Sequence, residues 1–383
     1  FMHKKTLDKP LKLLKILSNM KKSFKDISWD VTEPEYRADP ALSYSTLARF
    51  EREGRFNSLE HLFDKLSTSS LTFGSMVDVL STGTEEEFNE QFMVVDFPSI
   101  SDSLKQVAKT LYLRYGKPLS EEELSMDGHY YDRFEDIPDS LLSEVGVECG
   151  YYAGTKYENY RIKQIKESCA QYYSFMILAE GKTIVDQKDI DDARAAYEAL
   201  RTNPRTAFYF ADNSPFEPDI ERFDQLKFKG MDPETQVPYR SMADKIIVNH
   251  KDKTVLPIDL KTSSHVEWEF YKSFKDWRYD IQARLYWRNI RQTMDRDDYF
   301  KDFKLLDYKF IVVNRRTLQP MVWDFTETQK QGTLDIPTNW GTVYHLRDPY
   351  EIGEELYWYL NNSAVIPREM KEENDILYFL KNF

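Results

Sequence analysis

Apolar and polar positions change period several times along the chain, and the changes mark out elements. Arg240 to Asn249 (RSMADKIIVN) mixes β-branched and apolar residues and reads as a strand. Asn249 to Lys253 is polar and turn-like, and Thr254 to Lys261 (TVLPIDLK) reads as the returning strand. Pro257 cannot donate to a ladder, so it predicts an edge, a bulge or a break in pairing. Trp268, Tyr271, Phe274, Trp277, Ile281, Leu285 and Ile290 recur mostly three and four apart, which predicts a helix over Val266 to Met294. Lys304 to Asn314 reads as a buried strand, and Gln319 to Thr326 as its antiparallel neighbour. Upstream, helices are predicted over Ser101 to Arg114, Lys156 to Glu180 and Gln187 to Leu200, the last ended by Asn203-Pro204. Further helices are predicted over Tyr350 to Asn361 and Glu373 to Asn382.

This order predicts an α/β fold: a mixed central β-sheet flanked by helices and enlarged by a helical insertion subdomain. The expected divisions are a basic arm over 1–30, a segment over 31–90 that leads into the core, the insertion over 91–210, the core over 211–345 and closing helices over 346–383. The segment from Pro215 to Gly230 leads into the first core strand.

One group of residues points to a chemistry. Asp259 and Lys261 are two apart and share a strand face, and Asp244 lies on the partner strand. Two carboxylates can hold a hard cation through oxygen. A lysine beside them can orient water or offset charge building on a phosphate. An Asp-x-Lys triplet alone is usually a solvated strand end; the hairpin and Asp244 set this one apart. On the helix that follows, Gln282 and Tyr286 are four apart and therefore neighbours on one face.

Asp244, Asp259-x-Lys261 and Gln282-x-x-x-Tyr286 resemble the RecB-type branch of the PD-(D/E)xK nuclease superfamily, and within it the exonuclease VIII-like phage and prophage exonucleases. The matching core covers about Glu217 to Thr326. Upstream, Leu71 to Leu80 (LTFGSMVDVL) is similar to that branch's Gly-x-x-x-His helix, with Asp78 at the histidine position. Pro40 to Leu47 (PALSYSTL) resembles its Ser-x-Ser segment. The resemblance implies a restriction-endonuclease-like fold and a Mg²⁺- or Mn²⁺-dependent deoxyribonuclease. In that family's pattern Asp244, Asp259, Asp78 and the Leu260 carbonyl hold the metal, and Lys261 positions water or stabilises the transition state. Gln282 and Tyr286 would support the site and touch the DNA backbone or the lysine. Asp78 supplies oxygen where the family has imidazole, which suits Mg²⁺ or Mn²⁺. His61 is a weaker substitute because its offset from Gly74 is wrong, and Glu217 or Glu221 could add an acid. The implied partners are double-stranded DNA, a single-strand annealing protein and further copies of the chain in a ring. The implied setting is phage recombination in a host cytoplasm.

Composition narrows the alternatives. Aromatics make up 15% of the 383 residues, which argues against general disorder. No run of about 18 apolar residues is present, and no signal-peptide pattern, so neither a membrane span nor export is expected. Cys149 and Cys169 cannot build the four-cysteine cluster that some RecB-type nucleases carry, and free thiols are expected. A net charge of −13 opposes nucleic-acid binding over the whole chain, but charge is segregated. The first 25 residues hold eight lysines and one acid, Asp8, with Leu7, Leu11, Leu14 and Leu17 near helical spacing. That arm reads either as a basic amphipathic helix contacting DNA, a partner or its own domain, or as a solvated extension. The acids of Glu85–Glu87 and Glu121–Glu123 read as solvated faces. Tyr151, Tyr152, Tyr157 and Tyr160 alternate with Lys156, Arg161 and Lys163, which could stack bases. The preferred reading is a helical subdomain packing these tyrosines inward.

Overall fold

The computed structural model describes residues 21–53, 62, 69–96, 100–116, 130–337, 341 and 343–362. It forms two compact units, one of Phe1–Lys65 with Ala199–Phe383 and one of Leu66–Glu198. The expected arm over residues 1–20, His61, Glu121–Glu123 and the helix near Glu373–Asn382 lie outside the described residues.

In the first unit, helices α1 (Glu33–Ala38) and α2 (Tyr44–Glu53) precede strands β1 (Ile220–Met231), β2 (Pro238–Asn249) and β3 (Thr254–Ser263). Helices α3 (Phe270–Asp276) and α4 (Tyr279–Asp295) follow, then β4 (Lys304–Leu305), β5 (Tyr308–Asn314) and β6 (Pro320–Phe325). A hairpin of β7 (Leu334–Pro337) and β8 (Val343–Leu346) leads to α5 (Pro349–Asn362). The main sheet runs β1-β2-β3-β5-β6, with β4 also pairing β3. The β3–β5 and β3–β4 pairs are parallel and the others antiparallel, so the fold is mixed α/β as expected. A parallel pair needs a crossover, and α3 and α4 supply it, which carries α4 onto the sheet.

The ladder opens where the acids stand. Strand β2 pairs with β1 from Pro238 to Asn249, but with β3 only from Lys245 to Asn249. Past Ile258, β3 pairs only along its other edge, with β5. The two strands therefore part at Asp244 and Asp259. The β1–β2 ladder also skips one rung, between Asp224↔Lys245 and Leu226↔Ala243, so the ladder is interrupted at Gln225 and Asp244. Gln225 is left-handed there, with φ 51°. Such an interruption re-aims side chains. At the far end of β2, Leu42 takes the freed edge: its N–H donates to Pro238 O and its carbonyl accepts from Arg240 N.

The amphipathic pattern of α4 buries Ile281, Leu285, Ile290 and Met294. Its close approach to β1 is allowed by Gly230, where a Cβ would strike the Asn289 side chain. Phe24 packs on Phe228 and Phe300 beneath the same helix. Lys21 and Lys22, at the end of the basic arm, pair with Glu221 and Asp297, so this part of the arm is docked on its own unit.

Three expectations change. The predicted helix over Val266–Met294 is broken by Arg278, which is left-handed at φ 54°. Its guanidinium is buried against Asp280 and Glu51, and that tie outweighs helix continuity. The predicted strand over Lys304–Asn314 is interrupted between Leu305 and Tyr308. Of the places expected for Pro257, the structure gives the break in pairing; the residue pairs with Ile246 on one side. On the other side it falls beside that same interruption, where no partner strand asks for its missing N–H. Finally, helices do not cover both faces throughout. Opposite α4, the aromatic rings of Phe210 and Tyr209, in a non-helical segment, lie over Lys245 and Lys309.

The second unit begins upstream of the expected insertion and so includes the Asp78 helix, Ser69–Thr82. Helices Asp102–Leu111, Asp139–Glu148 and Glu158–Ala179 share a core of Leu104, Leu111, Leu142, Ile165, Cys169 and Tyr173. The expected helix over Ser101–Arg114 ends in a π-helical turn, Tyr112–Gly116. A small parallel pair, Phe92–Val94 with Thr183–Val185, is an addition to the predicted elements. Both cysteines are free, and burial pushes the Cys169 thiol up to about 12. Of the tyrosine cluster only Tyr151 packs against this core as expected. Tyr152, Tyr157 and Tyr160 are exposed, with their rings packed edge-on against one another. Buried Arg161 explains this: it donates to the Tyr152 and Gly154 carbonyls and to Ser143 Oγ, fixing the loop with its rings outside.

Candidate active site

A cavity of about 180 Å³ occupies the fork between β2 and β3. Asp244, Asp259, Lys261, Gln282 and Tyr286 all line it, with Tyr36, Arg37, Ser43, Tyr44, Ser45, Arg240 and Met242. The five residues singled out on β2, β3 and α4 are thus brought together. Gln282 and Tyr286 face the same way from one helix side, as their spacing requires.

Asp259 is fully buried and central. It accepts a hydrogen bond from Gln282 Nε2 and forms an ion pair with Lys261. Burial pushes its carboxyl above the usual carboxylate range, and Lys261, Asp244 and Gln282 only partly offset this. Asp244 interacts with Asp259 and also accepts the Leu260 N–H through Oδ2 at 2.8 Å. That N–H is free to point at Asp244 because β2 and β3 have already parted. The N–H and C=O of one strand residue point to the same edge, so the Leu260 carbonyl faces the fork as well.

For Lys261, burial works against the ammonium, but its interactions with Asp259, Tyr279 and Asp244 outweigh it and push its pKa up. Its Nζ lies 5.0 Å from the Tyr279 ring centroid. Lys261 therefore stays charged at neutral pH. It can donate hydrogen bonds and carry positive charge, but it cannot serve as a base. Burial raises Tyr286, Tyr308 and Tyr44 well above the ordinary phenol range, so all three remain neutral.

The donor set suits a hard cation. Asp244, Asp259 and the Leu260 carbonyl offer oxygen only. Gln282 Oε1 is buried with no hydrogen-bond partner among the described residues. Asp244 and Asp259 interact directly, and a cation between them favours the ionised form of both. Asp78 lies on the Ser69–Thr82 helix of the other unit, where its backbone carbonyl accepts from Ser81 and Thr82. Among the described residues no set of three or more His, Cys, Asp and Glu side chains is gathered for a metal. Glu217 and Glu221 do not line the cavity: Glu217 pairs with Arg222 and Glu221 with His250.

Sequence reasoning missed Arg240, Tyr36, Arg37 and Met242. Arg240 and Met242 carried a usable signal, since positions 240, 242 and 244 share one strand face. Tyr36 and Arg37 carried none, because the fold brings them from about 200 residues away. Ser43 and Ser45, of the Ser-x-Ser segment, are held at the cavity by the Leu42 bridge to Tyr239. Neither a protein-family model nor a curated protein matches the chain.

Proposed function

We propose that the chain is a Mg²⁺- or Mn²⁺-dependent deoxyribonuclease with a restriction-endonuclease-like core, acting as a double-strand exonuclease. The observation that carries this reading is the gathering of Asp244, Asp259, Lys261, Gln282 and Tyr286 around one cavity at a strand fork. Asp244, Asp259 and the Leu260 carbonyl would hold the cation. When bound, it supplies Lewis acidity toward a phosphate oxygen and lowers the pKa of water. Gln282 holds Asp259 in place through Oδ1. Lys261 stays protonated beside Asp259 and donates to the attacking water or to charge developing on the phosphate. Tyr286, a buried neutral phenol, can donate but carries no charge.

Double-stranded DNA as substrate, a single-strand annealing partner, a ring of copies and a phage recombination setting in a host cytoplasm follow from the family resemblance and belong to the same proposal. No helix among the described residues is long and apolar enough to cross a membrane. The test is digestion of linear and covalently closed circular duplex DNA with Mg²⁺, Mn²⁺ or EDTA. Loss of the linear form alone supports an exonuclease. Cutting of both forms moves the assignment to an endonuclease, and binding without cutting to an inactive nuclease fold.

A further inference from the structure

We infer that Arg240 binds a phosphate oxygen of the substrate strand, an inference that rests on the nuclease reading for the identity of that strand. The cavity presents two acids, and a phosphate entering it meets repulsion unless a cation is free to receive it. Of the cations that line it, Lys261 is paired with Asp259 and Arg37 with Glu33 at 2.9 Å. Arg240 makes no ion pair with a carboxylate among the described residues. Its Nε is buried and has no hydrogen-bond partner among them. Leaving such a donor unmet costs free energy, and a phosphate oxygen entering the cavity would meet it.

The position of Arg240 is fixed from two sides. Its backbone N–H donates to Leu42 O at 2.8 Å, which pins the end of β2. Its guanidinium carbon lies 5.3 Å from the Tyr36 ring centroid. The Tyr36 phenol hydrogen-bonds the guanidinium, and burial outweighs the Arg240 charge and pushes the phenol up to about 12, so Tyr36 steadies Arg240 without neutralising it at neutral pH. Strand alternation puts Arg240 on the face of Asp244, two positions beyond Met242. A guanidinium held this way offers a planar fork that fits two phosphate oxygens at once, which an ammonium cannot do. The ligand class is therefore a phosphate mono- or diester of a nucleotide chain, received beside the carboxylates rather than on them.

The experiment uses the full chain with fluorescein-labelled, 5′-phosphorylated oligothymidylate, and with tripolyphosphate as a base-free competitor. Binding is measured in EDTA and in Mg²⁺ over a salt series, for the natural chain, Arg240→Ala, Arg240→Gln and Arg240→Lys. Thermal melts check that each variant is folded. Arg240→Ala and Arg240→Gln should weaken binding about tenfold or more. They should also lower the slope of log affinity against log salt by about 0.7, the value of one lost contact to a single strand. Arg240→Lys should restore the slope and only part of the affinity. In the cleavage assay KM should rise with the loss of binding. Unchanged affinity and slope in folded Arg240→Gln, with cleavage intact, would overturn the inference and leave the nuclease reading standing. Arg240-dependent binding without cleavage in any metal would uphold the inference and remove the nuclease reading. No binding of either probe by the natural chain would overturn the inference whatever the cleavage result.

Discussion

Asp348→Asn should unfold the first unit more readily than any single change at its surface. Asp348 is almost fully buried and accepts five hydrogen bonds. Arg284 Nη2 donates at 2.7 Å and both terminal nitrogens of Arg288 at 2.6 Å. The backbone N–H groups of Gly332 and Tyr350 add bonds at 2.8 and 2.9 Å. Arg284 has no exposed surface, and burial presses its guanidinium below the ordinary value, with Asp348 as the opposing charge. Removing the charge leaves Arg284 buried and uncompensated, which costs about 3–5 kcal/mol. Because Arg284 and Arg288 sit on the helix that carries Gln282 and Tyr286, the same change should loosen the site.

The assay is urea unfolding followed by tryptophan fluorescence. All seven tryptophans lie outside Leu66–Glu198, so the signal reports the first unit. The pH dependence has a fixed sign. Burial resists ionisation of Asp348, but Arg288, the Tyr350 N–H and Arg284 outweigh it and hold its carboxyl below the ordinary 3.8. A carboxyl lowered on folding adds stability above its unfolded value and loses it as pH falls through the folded value. The gap between the natural chain and Asp348→Asn should therefore be full at neutral pH and close below 3.8. A loss under about 1 kcal/mol at neutral pH, far short of a broken buried pair, would refute the reasoning. So would a gap that is the same in acid.

Further outcomes follow from the site and its supports. Lys261→Ala should lower metal-dependent cleavage about 10²–10³-fold, read from initial rates at saturating metal. Because burial raises the Asp259 carboxyl, a proton competes with the cation on the acid side of that titration, so Mn²⁺ affinity should fall there by about tenfold per pH unit. Calorimetric Mn²⁺ titrations across that range would show it, and a pH-independent affinity would count against Asp259 as a ligand. Gly230→Ala should cost about 1–3 kcal/mol by driving a methyl group into Asn289, visible as a lower urea midpoint.

What the sequence made legible was local. The hairpin of β2 and β3, the strands around Tyr308 and Val322, and the Gln282–Tyr286 face follow from periods of two and of three to four, and the structure keeps all of them. The fork was not legible. It depends on the β2–β3 ladder ending at Lys245↔Ile258 while β3 goes on pairing β5 along its other edge, and no local pattern encodes where a ladder ends. Pro257 marked a break in pairing on the β4–β5 side of its strand, but the rung interrupted at Gln225 and Asp244, beside a left-handed residue on β1, had no such mark. The break at Arg278 was hidden because Trp277 and Ile281 continue the helical spacing across it. Only the burial of Arg278 against Glu51, 227 positions away, explains why the chain turns there.

The central claim is that Asp244, Asp259 and Lys261 form a metal-dependent phosphodiesterase site. The most direct measurement is release of acid-soluble nucleotides from linear duplex DNA by the purified chain in Mg²⁺, Mn²⁺ and EDTA, beside Asp259→Asn and Lys261→Ala prepared identically. The account predicts release that requires the metal, disappears in Asp259→Asn and falls steeply in Lys261→Ala. Equal release by all three proteins, or release that persists in EDTA, would contradict it.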